Sequence, residues 1–265
     1  MSGLEFRGVS VRYGHGAAAM VAVDAVDLVV RPGTTHGLVG ESGSGKSTMA
    51  RIAVGLAPMS GGSILLDGVD IASRDRAARR ARRQVQMVFQ DPLAALDPRM
   101  PVGASIAEGT VATGREYPRA QLRTRVWELL ERVHIDPARA GDPPAAFSGG
   151  QRQRITIARA LAAEPSVLIA DEITSALDVS VQGVVLNLLR ELQSDLELTM
   201  LFISHNLAVV RYVADEVSVM RHGRIVEHGA TASVLAEPAD PYTRELLRSI
   251  PVMGEPLDLA LDGSA

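Results

Sequence analysis

The chain has 265 residues, 46% of them hydrophobic and 22% charged, with a formal net charge of −4. That length and apolar content suffice for one large core or two small ones, and the acidic balance gives no chain-wide reason to bind nucleic acid, so no nucleic-acid partner is expected. The absence of cysteine excludes disulfides, thiolate metal sites and catalytic thiols, as suits a cytosolic protein. No apolar run reaches the roughly 18 residues of a membrane-spanning helix, and residues 1–7 lack the basic-then-apolar order of a secretory leader.

Leu4 to Val11 and Val21 to Val30 alternate apolar and polar positions, which predicts a hairpin-like β unit joined by the loose connection 14–19. Tyr13 ends the first strand, where its ring either packs or stacks on an adenine. Thr35 to Val39 is a short, mostly apolar run that reads as a buried strand, and residues 48–54 have helical composition. Between them, Gly40-Glu41-Ser42-Gly43-Ser44-Gly45-Lys46-Ser47 fits the phosphate-loop pattern G-x-x-x-x-G-K-S/T at every fixed position. The glycines let successive N–H groups curl around an anion at the positive end of a helix. Lys46 adds a point charge toward the terminal phosphates, and the Ser47 hydroxyl is placed to ligand Mg²⁺. Lys46 is also the only lysine in the chain; every other one of the 27 basic residues is arginine. A lone ammonium inside the one motif that needs it marks a functional choice.

Ser60-Gly61-Gly62-Ser63 reads as a turn, followed by a strand and tight turn over 64–70. Arg74, Arg76, Arg79, Arg80, Arg82 and Arg83 crowd together without aromatics to stack bases, so a solvated helix face is favoured over a nucleic-acid patch. Val85 to Phe89 reads as a strand ending at Gln90, a polar amide suited to Mg²⁺ or water. From about 101 to 140 the period turns helical. Phe147-Ser148-Gly149-Gly150-Gln151 then precedes a helix over 152–163, which makes a second anion-binding terminus remote in sequence from the first.

Val167 to Glu172 is an apolar strand ending in two carboxylates. Asp171 is the expected Mg²⁺ ligand, and Glu172 is available to orient or deprotonate an attacking water. Thr199 to Ile203 is another buried strand, ending in Ser204-His205, where His205 either contacts a γ-phosphate or serves structure.

Taken in this order, Tyr13, the loop 40–47, Gln90, the turn 147–151, Val167 to Glu172, Ser175-Ala176-Leu177-Asp178 and His205 resemble the ATP-binding cassette of ABC transporters over residues 4–248. The resemblance implies an α/β fold: a P-loop NTPase (RecA-like) core with an N-terminal antiparallel β subdomain and an α-helical subdomain inserted at about 93–160. One ATPase domain would then cover 1–250, with a disordered tail from 251. It implies ATP and Mg²⁺ as cofactors, with Tyr13 on adenine and Gly40, Glu41, Ser42, Gly43, Ser44, Gly45, Lys46, Ser47 and Thr48 around the phosphates. Ser47, Gln90 and Asp171 would surround Mg²⁺, with Glu172 and His205 catalytic. Ser148, Gly149, Gly150 and Gln151 would reach the ATP of a second cassette paired head to tail, and Asp178 would couple the two sites.

Phe147 stands where the family usually has Leu, which an apolar ring can replace, and Ile173 stands where Pro is usual, which would loosen the placement of Glu172. Phe89-Gln90-Asp91-Pro92, residues 96–100 and residues 241–247 resemble the cassettes of oligopeptide and dipeptide importers, although Asp97 and Asp240 replace the usual Asn and His and the C-terminal cysteine cluster is missing. Implied partners are a second cassette of the same or another chain, two integral-membrane permease subunits and, through them, a solute-binding protein, at the cytoplasmic face of the inner membrane. The alternative is a cassette subunit of a soluble complex, of phosphonate-cleaving type or a nucleic-acid- or ribosome-associated ABC ATPase.

Overall fold

The computed structural model describes residues 2–14 and 20–248. The connection 15–19 and the tail from 251 lie outside the described residues.

The elements run in the order β1 (Leu4–Tyr13), β2 (Met20–Val30), β3 (Thr35–Val39), α1 (Lys46–Ala53), β4 (Gly61–Leu66), β5 (Val69–Asp70), α2 (Arg76–Arg82) and β6 (Val85–Val88). Next come α3 (Pro92–Ala95), α4 (Val102–Gly109), α5 (Arg119–Arg132), α6 (Gly149–Leu161), β7 (Val167–Asp171), α7 (Val179–Leu196) and β8 (Thr199–Ser204). The described chain closes with α8 (Leu207–Val213), β9 (Glu216–Arg221), β10 (Arg224–Ala230), α9 (Thr231–Ala236) and α10 (Pro241–Arg248).

Two sheets result. A four-stranded antiparallel sheet has the order β2-β1-β4-β5, and a six-stranded sheet has the order β10-β9-β3-β8-β7-β6, parallel except for β10 at its edge. Every residue of β3, β7 and β8 is buried, as expected of parallel strands covered on both faces. Their side chains alternate between two cores. Leu38, Ile169, Leu201 and Ile203 pack with α1 and the antiparallel sheet, whereas Val39, Leu168, Ala170, Met200 and Phe202 pack with the helices on the other face. The sheet thus separates two hydrophobic layers, and the loops at its carboxyl edge emerge between them.

One sequence expectation changes. Residues 61–63, which read as a turn, belong to β4 and pair with β1 through Ser10↔Gly61 and Arg7↔Ser63. The glycines there mark a close backbone approach and not a chain reversal: a Cβ on Gly62 would sit 2.6 Å from the carbonyl oxygens of Arg7 and Gly8. The reversal falls at Asp67 and Gly68, both at positive φ, between β4 and β5, within the strand and tight turn read over 64–70. Smaller shifts occur at element ends. The helix after the loop begins at Lys46, and α6 begins at Gly149 because Ser148 caps it.

Candidate nucleotide site at the carboxyl ends of the parallel strands

The phosphate loop leaves β3 and enters α1 at Gly45, whose φ of 110° belongs to the left-handed region. A side chain there would also collide with β2, since a Cβ would lie 2.4 Å from the Ala22 carbonyl oxygen. No side chain caps the start of α1, so this positive helix end is open to an anion. The loop is braced from behind by the β9–β10 turn: Gly223 N–H donates to Ser44 O and Asp24 N–H to Gly223 O, both at 2.9 Å.

Lys46 is only 3% exposed. Its ammonium donates to the carbonyls of Gly40 and Glu41 at 2.8 Å and to Ser44 Oγ at 3.3 Å. Burial pulls its pKa below the ordinary value, while Glu172, Asp171 and Glu41 act the other way. A buried cation satisfied only by neutral oxygens fits a polyanionic ligand, and phosphate is what this loop geometry offers to hold.

Ser47 Oγ donates to Asp171 Oδ1 at 3.0 Å. Burial raises the Asp171 pKa, the Ser47 hydrogen bond lowers it, and neighbouring Glu172 raises it again. A hydroxyl and a carboxylate held side by side form the hard-oxygen pair that suits Mg²⁺. Glu172 follows at φ 48°, its N–H donating to Ile203 O at 3.0 Å. A non-glycine residue at positive φ persists only where its surroundings hold it there. Ile173 supplies part of that hold, because its side chain is 1% exposed in the helix-side core. His205 Nδ1 lies 3.5 Å from Glu172 Oε2.

Lys46, Ser47, Asp171, Glu172 and His205 are thus brought together. Gln90 is joined to them indirectly: its amide donates to Ser175 Oγ at 3.1 Å, and Ser175 Oγ donates to Glu172 O at 2.8 Å. Tyr13 pairs with Met20 at the end of β1, its ring partly exposed. Among the described residues no hydrogen bond links Ser148, Gly149, Gly150 or Gln151 to the loop. They form a capping box at the head of α6, with Ser148 N–H donating to Gln151 Oε1 at 2.9 Å and Gln151 N–H donating to Ser148 Oγ at 3.3 Å. Phe147 seats this turn in the core under the Arg139 guanidinium, 4.0 Å from its ring centroid.

Two residues join the site that sequence reasoning did not assign to it: Gln153 carries no motif, and Tyr242 lies in the block 241–247, which is legible only as a resemblance to importer cassettes. Gln153 is buried in α6 and donates to Phe89 O at 3.4 Å, tying the capped turn to the Gln90 segment. Tyr242 of α10 accepts the N–H of Glu41 inside the phosphate loop at 2.9 Å.

A parallel sheet with a phosphate loop after one strand and a carboxylate pair after another defines a nucleotide-hydrolysing cassette. Comparison with known proteins places it: the family profile described as "ABC transporter" matches residues 23–175. A protein of Brucella abortus (strain 2308), provisionally named a peptide import ATP-binding protein, is 50% identical over 238 residues, covering 89% of this chain and 71% of its own length. Among solved structures, cbiO1 from Clostridium perfringens, part of an ABC transporter complex, superposes with a TM-score of 0.78 at 31% identity, over 88% of this chain and 90% of that one. A dimeric bacterial ABC transporter cassette superposes with a TM-score of 0.77 at 27% identity, over 86% of this chain and 98% of that one. The same cassette in a post-hydrolysis state bound to ADP and Pi gives 0.75 at 26% identity, with the same coverage of both chains. This chain belongs to the ABC transporter family, as one of its ATP-binding ATPase cassettes.

Proposed function

We propose that this chain is the ATP-hydrolysing subunit that energises import of peptides, or of a related small solute, through separate permease subunits at the cytoplasmic face of the inner membrane. The solute class is supported by the name of the relative at 50% identity and by the residue blocks 89–100 and 241–247. The ATPase chemistry rests on one observation above all, the Ser47–Asp171 pair adjoining the Glu172–His205 pair.

In this reading Tyr13 stacks on adenine, the amides of 40–48 and Lys46 hold the phosphates, and Ser47, Gln90 and Asp171 hold Mg²⁺. Bound Mg·ATP would supply the electrophilic γ-phosphorus, with ADP as the leaving group. Lys46 offsets charge on the terminal phosphates, and Glu172 orients a water and accepts its proton. His205, beside Glu172, hydrogen-bonds a γ-phosphate oxygen. Ser148, Gly149, Gly150 and Gln151 serve the site of a second cassette, whose matching turn completes this one. The solved dimer of a related cassette supports that pairing.

Among the described residues no helix is long and apolar enough to cross a membrane. Two integral-membrane permease subunits, and a solute-binding protein acting through them, are the proposed partners. Their docking surface is the segment after Gln90 together with the helical lobe: Phe89 and Leu93 flank Gln90 with exposed apolar side chains, and Gln153 links that segment to the head of α6. A nucleotide-dependent movement at Gln90 is thereby conveyed to the lobe.

The test is affinity capture of tagged full-length chain from gently solubilised membranes of its own cell, with and without ATP. Recovery of two multi-span proteins is the expected result. Recovery of ribosomal or soluble-enzyme partners in their place keeps the ATPase and overturns transport.

A further inference from the structure

The block Pro241-Tyr242-Thr243-Arg244-Glu245-Leu246-Leu247 contributes nothing to the nucleotide and metal contacts described above, yet it contains one of the largest fully buried side chains of the protein, Tyr242, 1% exposed. We propose that Tyr242 is a positioning residue of the ATP site, a peg that sets the first peptide of the phosphate loop and couples nucleotide binding to the docking of α10. The proposal rests on the reading that residues 40–48 hold the phosphates.

The geometry is specific to one peptide plane. The unit between Gly40 and Glu41 presents its carbonyl oxygen to Lys46 Nζ at 2.8 Å and its N–H to the Tyr242 hydroxyl at 2.9 Å. Lys46 and Tyr242 thus hold opposite edges of the same plane, although Tyr242 lies 201 residues beyond Glu41. A turn of that plane breaks both bonds together. A phosphate claims one of the three ammonium protons of Lys46, now shared among Gly40 O, Glu41 O and Ser44 Oγ, so the grip of Lys46 on the loop weakens and Tyr242 carries more of the hold on the plane. Its bond therefore matters more with nucleotide than without, which is the condition for an effect on affinity.

The peg is itself held firmly. Glu227 of β10 accepts the N–H groups of Ala239 at 2.7 Å and Asp240 at 3.1 Å. Asp240 Oδ1 accepts the N–H of Tyr242 at 2.8 Å, with Pro241 at the first helical position, where a missing N–H costs nothing. The Arg221 guanidinium covers the ring at 4.5 Å from its centroid. Asp240, which stands where importer cassettes usually carry His, here sets the turn that aims the ring. With the ring fixed from strand, cap and face, the hydroxyl is a fixed point and the loop peptide is the part that can move. Coupling of this kind is reciprocal, so nucleotide must also stabilise the docked position of α10.

The experiment uses the full chain with Mg·ATP, comparing wild type, Tyr242→Phe and Lys46→Ala by nucleotide titration and by hydrogen exchange. Tyr242→Phe keeps the packed ring and removes one acceptor, so its denaturation midpoint should fall only slightly while ATP binds about two- to fivefold more weakly, the share of one hydrogen bond's worth that is gained only with nucleotide. In wild type, ATP should slow exchange at the Glu41 amide and across 241–248, and the slowing across 241–248 should vanish in Tyr242→Phe. Wild-type affinity in Tyr242→Phe, or wild-type exchange across 241–248 unaffected by ATP, overturns the peg while leaving the loop assignment intact. If Lys46→Ala binds ATP as well as wild type does, the loop assignment itself fails and the peg with it.

Discussion

The hydroxyl of Ser47 donates to Asp171 across 3.0 Å although 124 residues separate them. The sheet order makes the meeting inevitable: β3 and β7 both flank β8 in parallel, so the loop that follows β3 and the carboxylate that ends β7 emerge at the same edge. This is the crevice at the carboxyl ends of the strands where open α/β sheets bind ligands.

The pair predicts a metal dependence. Asp171→Asn keeps the shape and the hydrogen-bonding capacity toward Ser47 but removes the charge. Nucleotide affinity in the variant should lose most of its dependence on Mg²⁺, read by titrating ATP at several Mg²⁺ concentrations. An unchanged Mg²⁺ dependence would remove Asp171 from the metal shell.

Glu172→Gln separates binding from chemistry. An amide can still position a water but cannot take its proton, so turnover should fall by about 10²- to 10⁴-fold, with ATP affinity preserved and the ATP-bound cassette pair accumulating on gel filtration. Hydrolysis at the wild-type rate would mean that the base lies elsewhere.

Gly150 is demanded by packing within this chain, whatever it offers a second cassette. A Cβ there would lie 2.1 Å from Cγ1 of Val181 in α7, so either Val181 leaves its rotamer or α6 and α7 move apart. Gly150→Ala should lower stability by about 1–3 kcal/mol, the usual cost of overpacking. Adding Val181→Ala removes the obstructing methyls and should recover much of the loss. Thermal unfolding of the two single variants and the double variant measures the coupling.

His36, buried in β3, predicts an acid sensitivity. Its Nε2 lies 2.9 Å from Ser218 Oγ, and its Nδ1, which makes no hydrogen bond, faces Glu216 Oε2 at 3.8 Å, a carboxylate that opposes the effect of burial without cancelling it. Burial, aided by His228 and Arg31, lowers its pKa to about 4. The folded state therefore binds fewer protons than the unfolded one, whose histidine titrates near 6.5. The contribution is complete above about pH 6.5 and is lost as pH falls toward 4, by about 2–3 kcal/mol at pH 4.5. Urea denaturation at pH 7 and 4.5 should show a drop larger by that amount in wild type than in His36→Gln; equal drops would show that His36 does not carry it.

Sequence and structure divide the protein along a physical line. The phosphate loop, the apolar strand ending in Asp171 and Glu172, and the serine–glycine turn at the head of α6 were legible because each depends on a few neighbouring residues: a glycine where φ must be positive, an alternating or helical period, a cap beside the amides it satisfies. Residues 61–63 misled because glycines that admit a neighbouring strand look in isolation like glycines that turn a chain.

Tertiary structure alone decided what meets what. The Ser47–Asp171 contact, the tether from Gln90 through Ser175 to Glu172, the pressure of Val181 on Gly150 and the reach of Tyr242 to Glu41 join segments far apart along the chain. Such contacts leave no periodic trace in sequence, because they are set by the order and register of strands in a sheet and by which core each side chain enters. The residue types state the chemistry this chain can perform; the packing of its two hydrophobic layers determines where those residues meet.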